Sequence, residues 1–283
     1  MMSNKTEYEV RYAVGQREVK GYDTTELRNT FLVDKLMSPG KVYWVYSHYE
    51  RFMLGSAVPT DSPLVLETLD ALKAEHFLDR RELGIINIGG DGTVVADGEE
   101  FNLAREEALY IAKGNKTVTF YSNDPAKPAK FYLNSAPAHH AYSNKKIAKG
   151  DAKVLHLGGQ DTSNERDINQ LMINTVVETC QLQMGLTRLM PGSVWNTMPA
   201  HQHDRRNEVY FYLDLDEGQA VCHIMGEPHE TRHIFVQNEQ AVLSPPWSIH
   251  CGVGTSNYAF IWGMAGENLD YGDMDSYPPD QLR

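Results

Sequence analysis

The segment Pro199-Ala200-His201-Gln202-His203, followed by Glu208, holds the residue types from which a metal site is built. His201 and His203 are two apart, so an extended chain points both imidazoles to one face. Asp204 to Asn207 reads as a turn, and the return strand can set the Glu208 carboxylate opposite the pair. A fourth donor is His250, in Ser244-Pro245-Pro246-Trp247-Ser248-Ile249-His250, where a turn feeds another strand. Three imidazoles and one carboxylate are a common ligand set for a divalent transition metal. An isolated pair of histidines is more often exposed or packed. The glutamate at this spacing and the later histidine favour the metal. Four protein donors can also close a tetrahedral structural site, but such sites are dominated by thiolates and none is used here. His229 and His233 are four apart, as a second helical site requires. Their neighbours read as turn then strand, so they are assigned other roles. His48, His139 and His140 lack partners at ligand spacing.

The elements around these residues are strand-like. From Cys180 to Thr187, Cys180, Leu182, Met184 and Leu186 fall on one face. From Val209 to Asp216, Val209, Phe211, Leu213 and Leu215 oppose Tyr210, Tyr212, Asp214 and Asp216. Such period-two alternation marks a pleated strand. Further β-rich runs span 42–46, 84–88, 117–121, 154–157, 233–236, 241–243 and 258–262. Turn signals separate them, among them Gly89-Gly90-Asp91-Gly92, Asp97-Gly98 and Pro191-Gly192. Short strands with glycine-rich turns predict a sandwich or barrel of antiparallel strands. Helices are expected over 24–37, over 61–78 with Ser62 as N-cap and Pro63 in the first turn, and more weakly over 104–112. The stretch 143–165, with Lys145, Lys146, Lys149 and Lys153, reads as a solvated connection between two β-rich halves, broken by a short strand around 154–157. The boundary is set at a first domain 1–150 without a metal motif and a second domain 151–283 with the metal site. The halves share a β-rich character but no evident identity.

Composition narrows the functional classes. The 283 residues hold 26 Lys and Arg against 38 Asp and Glu, a formal charge of -12. A basic nucleic-acid stripe and a polybasic membrane anchor are both excluded. Hydrophobic residues at 41% and charged ones at 23% describe a soluble globular protein with a sizeable core. No apolar run approaches the roughly 18 residues of a membrane span, and the polar N-terminus lacks a secretory signal. Three cysteines without a CxxC argue against a disulfide framework and for a reducing cytoplasm.

The spacing of His201, His203, Glu208 and His250 resembles the cupin superfamily. The longer segments TCQLQMGLTRLMPGSVWNTMPAHQHDRRNEVYFYLDL, ETRHIFVQNEQAVLSPPWSIHCGVGT and YAFIWGMAGEN, with YSHYERFMLGSAVP in the first half, resemble the 5-keto-4-deoxyuronate isomerase family within it. This resemblance spans most of the chain. It implies a mainly β chain of two cupin-type β-barrels (a bicupin) with a few short helices. It implies one Zn2+ per subunit held by His201, His203, Glu208 and His250, and assembly as a hexamer. It implies a ketol-isomerase of pectin breakdown acting on a sugar acid, with neither a nucleic-acid nor a membrane partner.

The substrate so implied has an aldehyde, a neighbouring hydroxyl, and a distant carboxylate beside a ketone. The difficult step is loss of a proton next to a carbonyl, which a polarising metal ion eases. A hydride shift between adjacent carbons is an equal alternative. Candidate proton carriers near the motif are Tyr210, Tyr212, Asp204 and a metal-bound water. The carboxylate calls for a guanidinium fork, for which Arg188, Arg205, Arg206 and Arg166 stand near in sequence. Trp195, Met198, Trp247, Trp262 and Met264 are candidate cavity walls. Two other readings use the same residues. An iron-dependent dioxygenase would consume oxygen, and a non-catalytic sugar-acid binding protein would bind without turnover.

Overall fold

The computed structural model describes residues 6–267 and 269–283. The chain divides into two compact units, each discontinuous in sequence. The first takes residues up to 11, 35–152 and 171–183, and the second takes 12–34, 153–170 and 184–283.

In the first unit, one sheet runs Thr6–Arg11, Val42–Ser47, Met53–Ala57, Phe131–Pro137, Arg81–Asn87, Ala108–Ile111, Lys145–Ile147. A second runs Leu64–Val65, Val118–Ser122, Gly92–Ala96, Glu99–Leu103. Alternation turns one apolar face of each sheet toward the other. Trp44, Leu83, Ile85, Phe131 and Leu133 from the larger sheet pack with Leu64, Val94 and Phe120 from the smaller.

In the second unit, the larger sheet runs Lys153–Leu157, Arg166–Met172, Gln183–Leu189, Ala259–Gly266, Arg206–Leu213, Gln240–Ser244, Leu32–Val33. The smaller runs Glu230–Val236, Val221–Glu227, His250–Gly254, Trp195–Gln202, Asp275–Tyr277. The two strands Arg81–Asn87 and Arg206–Leu213 hold the same place in their sheets. Stepping two residues from each first arginine gives Leu83 and Ile85 in one, Glu208 and Tyr210 in the other. One interior is thus filled with aliphatic carbon, where the other carries a carboxylate and a phenol.

The expectation of two closed cupin-type barrels is corrected here. Each of the four sheets runs open from one edge strand to another, and none closes on itself among the described residues. Stacking two sheets face to face buries the apolar faces without hydrogen bonds joining the edges. Among the described residues, no helix is long and apolar enough to cross a membrane.

The helix expectations fare unevenly. A helix forms at Thr24–Phe31, with Asp23 and Glu26 closing a capping box. It stops short of 37 because Leu32 and Val33 pair with Val242 and Ala241 at a sheet edge. Over 61–78 there is no α-helix. Leu64 and Val65 pair with Phe120 and Thr119, and one 3-10 turn follows at Asp70–Leu72. The buried Leu64, Leu66 and Leu69 serve the sheet interior instead. Residues 108–111 likewise form a strand, paired with 83–86, where a helix was expected. Tertiary burial overrides helix propensity at each place. Within 143–165 the expected short strand forms at Lys153–Leu157, and Lys145–Ile147 adds a further strand that was not expected. Two lysines of this stretch form ion pairs: Lys146 with Glu107 at 2.7 Å and Lys149 with Glu106 at 3.1 Å.

One glycine shapes the second interior. A Cβ at Gly185 would lie 2.1 Å from Trp262 Cζ2 and 2.5 Å from the Asn169 carbonyl oxygen. Gly185→Ala is therefore expected to displace Trp262 and to lower stability by about 1–3 kcal/mol, the usual range for overpacking. Urea unfolding measures this; an unchanged midpoint would show that the indole has room to move.

Candidate metal centre

The strands Trp195–Gln202 and His250–Gly254 run antiparallel, with His201 opposite His250. From Asn196 to His201 the first strand advances five residues, while its partner advances two, from Gly252 to His250. This bulge brings Thr197, Met198 and Pro199 to the lining of a cavity. Thr197 takes φ of 50°, a left-handed conformation that β-branched residues rarely adopt. Its Oγ1 lies 2.8 Å from the Tyr210 hydroxyl. Glu208 comes from the facing sheet, where it sits opposite Ser244 on one neighbouring strand and Met264 on the other.

His201, His203, Glu208 and His250 each offer one donor atom, and these atoms lie within 4.8 Å of one another. His203, Glu208 and His250 are buried, whereas His201 is only partly so. The rings of His203 and His250 are fixed from behind. His203 Nδ1 meets the Asp273 carbonyl oxygen at 2.5 Å, and His250 Nδ1 meets Ser244 Oγ at 3.0 Å. A carbonyl can only accept, so His203 Nδ1 carries the hydrogen and, in the neutral ring, Nε2 presents a lone pair. His203 Nε2 and His250 Nε2 lie 3.1 and 2.9 Å from Glu208 Oε2. Those are ion-pair separations, yet all three atoms are buried without an aligned hydrogen bond. A carboxylate oxygen and two imidazole nitrogens held this close need positive charge among them, whether a ring proton or a metal ion. The donor set therefore fits a divalent transition metal, and the contacts at Nδ1 are those that orient imidazole ligands.

The electrostatics agree. Burial would raise the Glu208 carboxyl, but the neighbouring His250 and His203 outweigh it and hold it well below the usual carboxylate range. Burial, reinforced by His250, drives His201 well below its ordinary value, so its ring is neutral and able to ligate. Deeper in the sandwich, burial holds His223 neutral down to about 3, with its Nδ1 2.8 Å from the Tyr212 hydroxyl.

The C-terminal segment braces this cluster. Arg206 is buried and donates from Nη2 to the Asp270 carbonyl at 2.6 Å and from Nη1 to Met264 Sδ at 2.9 Å. The strand Asp275–Tyr277 pairs with Ala200–Gln202, directly beside His201 and His203.

The cluster opens on a cavity of about 240 Å³, with His201, His203, Glu208 and Tyr210 in its lining. Tyr210 is thus brought to the site, whereas Tyr212 contacts His223 and Asp204 takes a hydrogen bond from Gln202. Of the four arginines, Arg166 alone lines the cavity. Its Nη1 donates to the Asn164 carbonyl at 2.8 Å, which fixes the guanidinium in place. Arg188 pairs with Asp214 at 2.8 Å, exposed Arg205 pairs with Glu267, and Arg206 serves the C-terminal segment. Met198, Trp262 and Met264 are cavity walls. Trp247 instead packs on Phe31, and Trp195 is absent from the lining. His229 Nδ1 meets the Gln281 carbonyl, away from the cluster. Sequence reasoning missed Leu155, Leu157, Thr197 and Tyr271. The alternation of Leu155 and Leu157 was a usable signal; Tyr271, on an irregular segment, gave none.

A model of the KduI/IolB family matches residues 32–277. The chain belongs to the KduI/IolB family. Within its matched stretch lie Arg166 and all four donors of the cluster. This KduI/IolB chain is 60% identical over 278 residues to the 4-deoxy-L-threo-5-hexosulose-uronate ketol-isomerase of Formosa agariphila, covering 98% of this chain and 99% of that protein. It is 54% identical over 271 residues to 4-deoxy-L-threo-5-hexosulose-uronate ketol-isomerase 1 of Bacteroides thetaiotaomicron, covering 96% and 97%. Solved structures share the fold. An IolB-like protein of Salmonella typhimurium LT2 gives a TM-score of 0.65 at 14% identity, covering 80% of this chain and 87% of that one. Oxalate decarboxylase of Lactobacillus farciminis gives 0.54 at 12% identity, covering 80% and 79%. These last two show likeness of fold alone.

Proposed function

We propose that the chain is a metal-dependent ketol-isomerase of pectin-derived uronates. It converts 4-deoxy-L-threo-5-hexosulose uronate to 3-deoxy-D-glycero-2,5-hexodiulosonate. The observation that carries the reading is one cavity that joins a His/His/Glu/His cluster to a fixed arginine, in a chain 60% identical to such an isomerase.

His201, His203, Glu208 and His250 hold one Zn2+ per chain. Bound there, the ion would supply Lewis acidity to the substrate carbonyl oxygen. Arg166 takes the substrate carboxylate in its planar fork. In a chain of formal charge -12, such a local cation offsets long-range repulsion of an anion. Burial, with the Glu208 charge, keeps the Tyr210 phenol well above its ordinary value. It therefore stays protonated, and Thr197 Oγ1 aims it. Its role is to donate a hydrogen bond to a substrate oxygen. Phe260, Trp262 and Met264 line the cavity and limit water around the reacting carbons. The resemblance carries a hexamer with it, which sedimentation tests. The free thiols of Cys180, Cys222 and Cys251 fit a reducing cytoplasm.

The test is turnover of the unsaturated uronate released by a pectate lyase, run beside elemental analysis of the same protein. Aldose-to-ketose conversion is expected. Binding without conversion in metal-loaded protein would make it a sugar-acid binding protein, and oxygen uptake would make it a dioxygenase.

A further inference from the structure

We propose that the first unit carries a second binding site, for a small organic oxyanion, built around Arg81. The site is a cavity of about 230 Å³ lined by Tyr46, Arg51, Leu72, Phe77, Arg80 and Arg81, with Pro137 at its edge. The isomerase reading uses none of these residues.

Arg81 opens the strand Arg81–Asn87 and is 5% exposed. Its side chain bonds neutral oxygens: Nε to Ser135 Oγ at 3.1 Å, and Nη2 to the carbonyls of Arg51 and Ser135 at 2.7 and 2.8 Å. Its Nη1 has no acceptor among the described residues. The adjacent acids are turned away. Glu82 falls on the opposite face of the strand, where it accepts from the Tyr110 hydroxyl and the amides of Cys180, Gln181 and Leu182. Asp79 is drawn to His76 at 3.4 Å. Arg80 Nη2 donates to the carbonyls of Leu72 and Lys73 at 2.8 and 2.5 Å. Among the described residues, none of Arg51, Arg80 and Arg81 enters an ion pair. Three guanidiniums without a directly paired carboxylate share one cavity, the Glu82 charge acting on Arg81 without contact, in a chain where 38 acids outnumber 26 Lys and Arg.

A buried charge is unfavourable unless it is paired. Burial lowers the Arg81 guanidinium only to about 10, so it remains charged at neutral pH. An oxyanion supplies the missing acceptor, since two oxygens match the guanidinium fork. The Tyr46 hydroxyl is a further donor. Leu72, Phe77 and Pro137 offer an apolar wall to the carbon part of a ligand. Location adds support. Arg81 stands at the same strand position in its sandwich as Arg206, which lies beside the histidine cluster. The ligand class is a small sugar acid or a phosphate, which share this chemistry.

The experiment is calorimetric titration of the full, metal-loaded chain with D-galacturonate and, separately, with inorganic phosphate. Arg51 and Arg80 are exposed, so the double variant Arg51→Ala, Arg80→Ala tests the site while leaving the buried Arg81 and its hydrogen bonds in place. At least one probe is expected to bind, and the double variant to bind it at least about tenfold more weakly with isomerase turnover unchanged. Galacturonate binding identifies a carboxylate source and phosphate binding a phosphate source. The proposal is overturned if neither probe binds. It is equally overturned if the double variant binds as the parent does, or if binding is lost only in Arg166→Met.

Discussion

In the double variant His201→Ala, His203→Ala, both bound metal and aldose-to-ketose turnover are expected to disappear. His203 is one of three buried donors whose atoms converge without hydrogen bonds, and His201 is the donor nearest solvent. Removing two of four donors leaves Glu208 and His250, too few to hold a divalent ion against water. The Lewis acid contributes several kcal/mol, so the rate should fall by about three to four powers of ten. Plasma emission on the dialysed variant and a coupled ketose assay give the two readings, with circular dichroism as the check on folding. Turnover at the parental rate in a folded, metal-free variant would remove the metal from the chemistry.

Arg166→Met is expected to leave metal content intact and to lower kcat/KM by about a hundredfold, or about 3 kcal/mol, the scale for truncating one side of a desolvated charge pair. Arg166 is the only lysine or arginine in the lining of the metal cavity among the described residues. Methionine keeps the stem that packs against the wall while deleting the fork. Arg166→Lys should recover part of the loss through charge, but not all, because an ammonium does not bind a carboxylate bidentately. Steady-state kinetics on the uronate, beside an analogue with an uncharged terminus, decide the point. Equal losses for both substrates would mean that Arg166 supports the cavity wall and does not read the carboxylate.

That His201, His203, Glu208 and His250 come together was legible because their signal is local. Two histidines at period two, a glutamate after a turn and a histidine after a proline-rich loop state their chemistry within fifty-odd positions. The arginine was harder to choose. Arg188, Arg205 and Arg206 lie nearer the motif in sequence, but each is engaged elsewhere, by Asp214, by Glu267 and by the Asp270 carbonyl. Arg166 reaches the cavity because its strand is hydrogen-bonded between Lys153–Leu157 and Gln183–Leu189, a fact of sheet order that no local pattern encodes.

The β character was legible from alternation, but sheet closure was not. Whether edge strands meet depends on pairings between residues far apart in sequence. The edge strand Leu32–Val33, more than 200 residues from its partner Val242, is an example. The correspondence between the units was also hidden. Asp79-Arg80-Arg81 and Asp204-Arg205-Arg206 precede equivalent strands, but three residues drown among unrelated neighbours until the sheets are superposed in order. Once they are, the first unit's Leu83, at the position that Glu208 holds in the second, gives a physical reason why the two interiors differ.

The most direct measurement is anomalous diffraction at the zinc edge from crystals of the purified, active chain. A single peak per chain is expected, within about 2.0–2.2 Å of an imidazole nitrogen from each of His201, His203 and His250 and of a Glu208 carboxylate oxygen. Active crystals with no peak among these four side chains, or with the ion held elsewhere, would contradict the account.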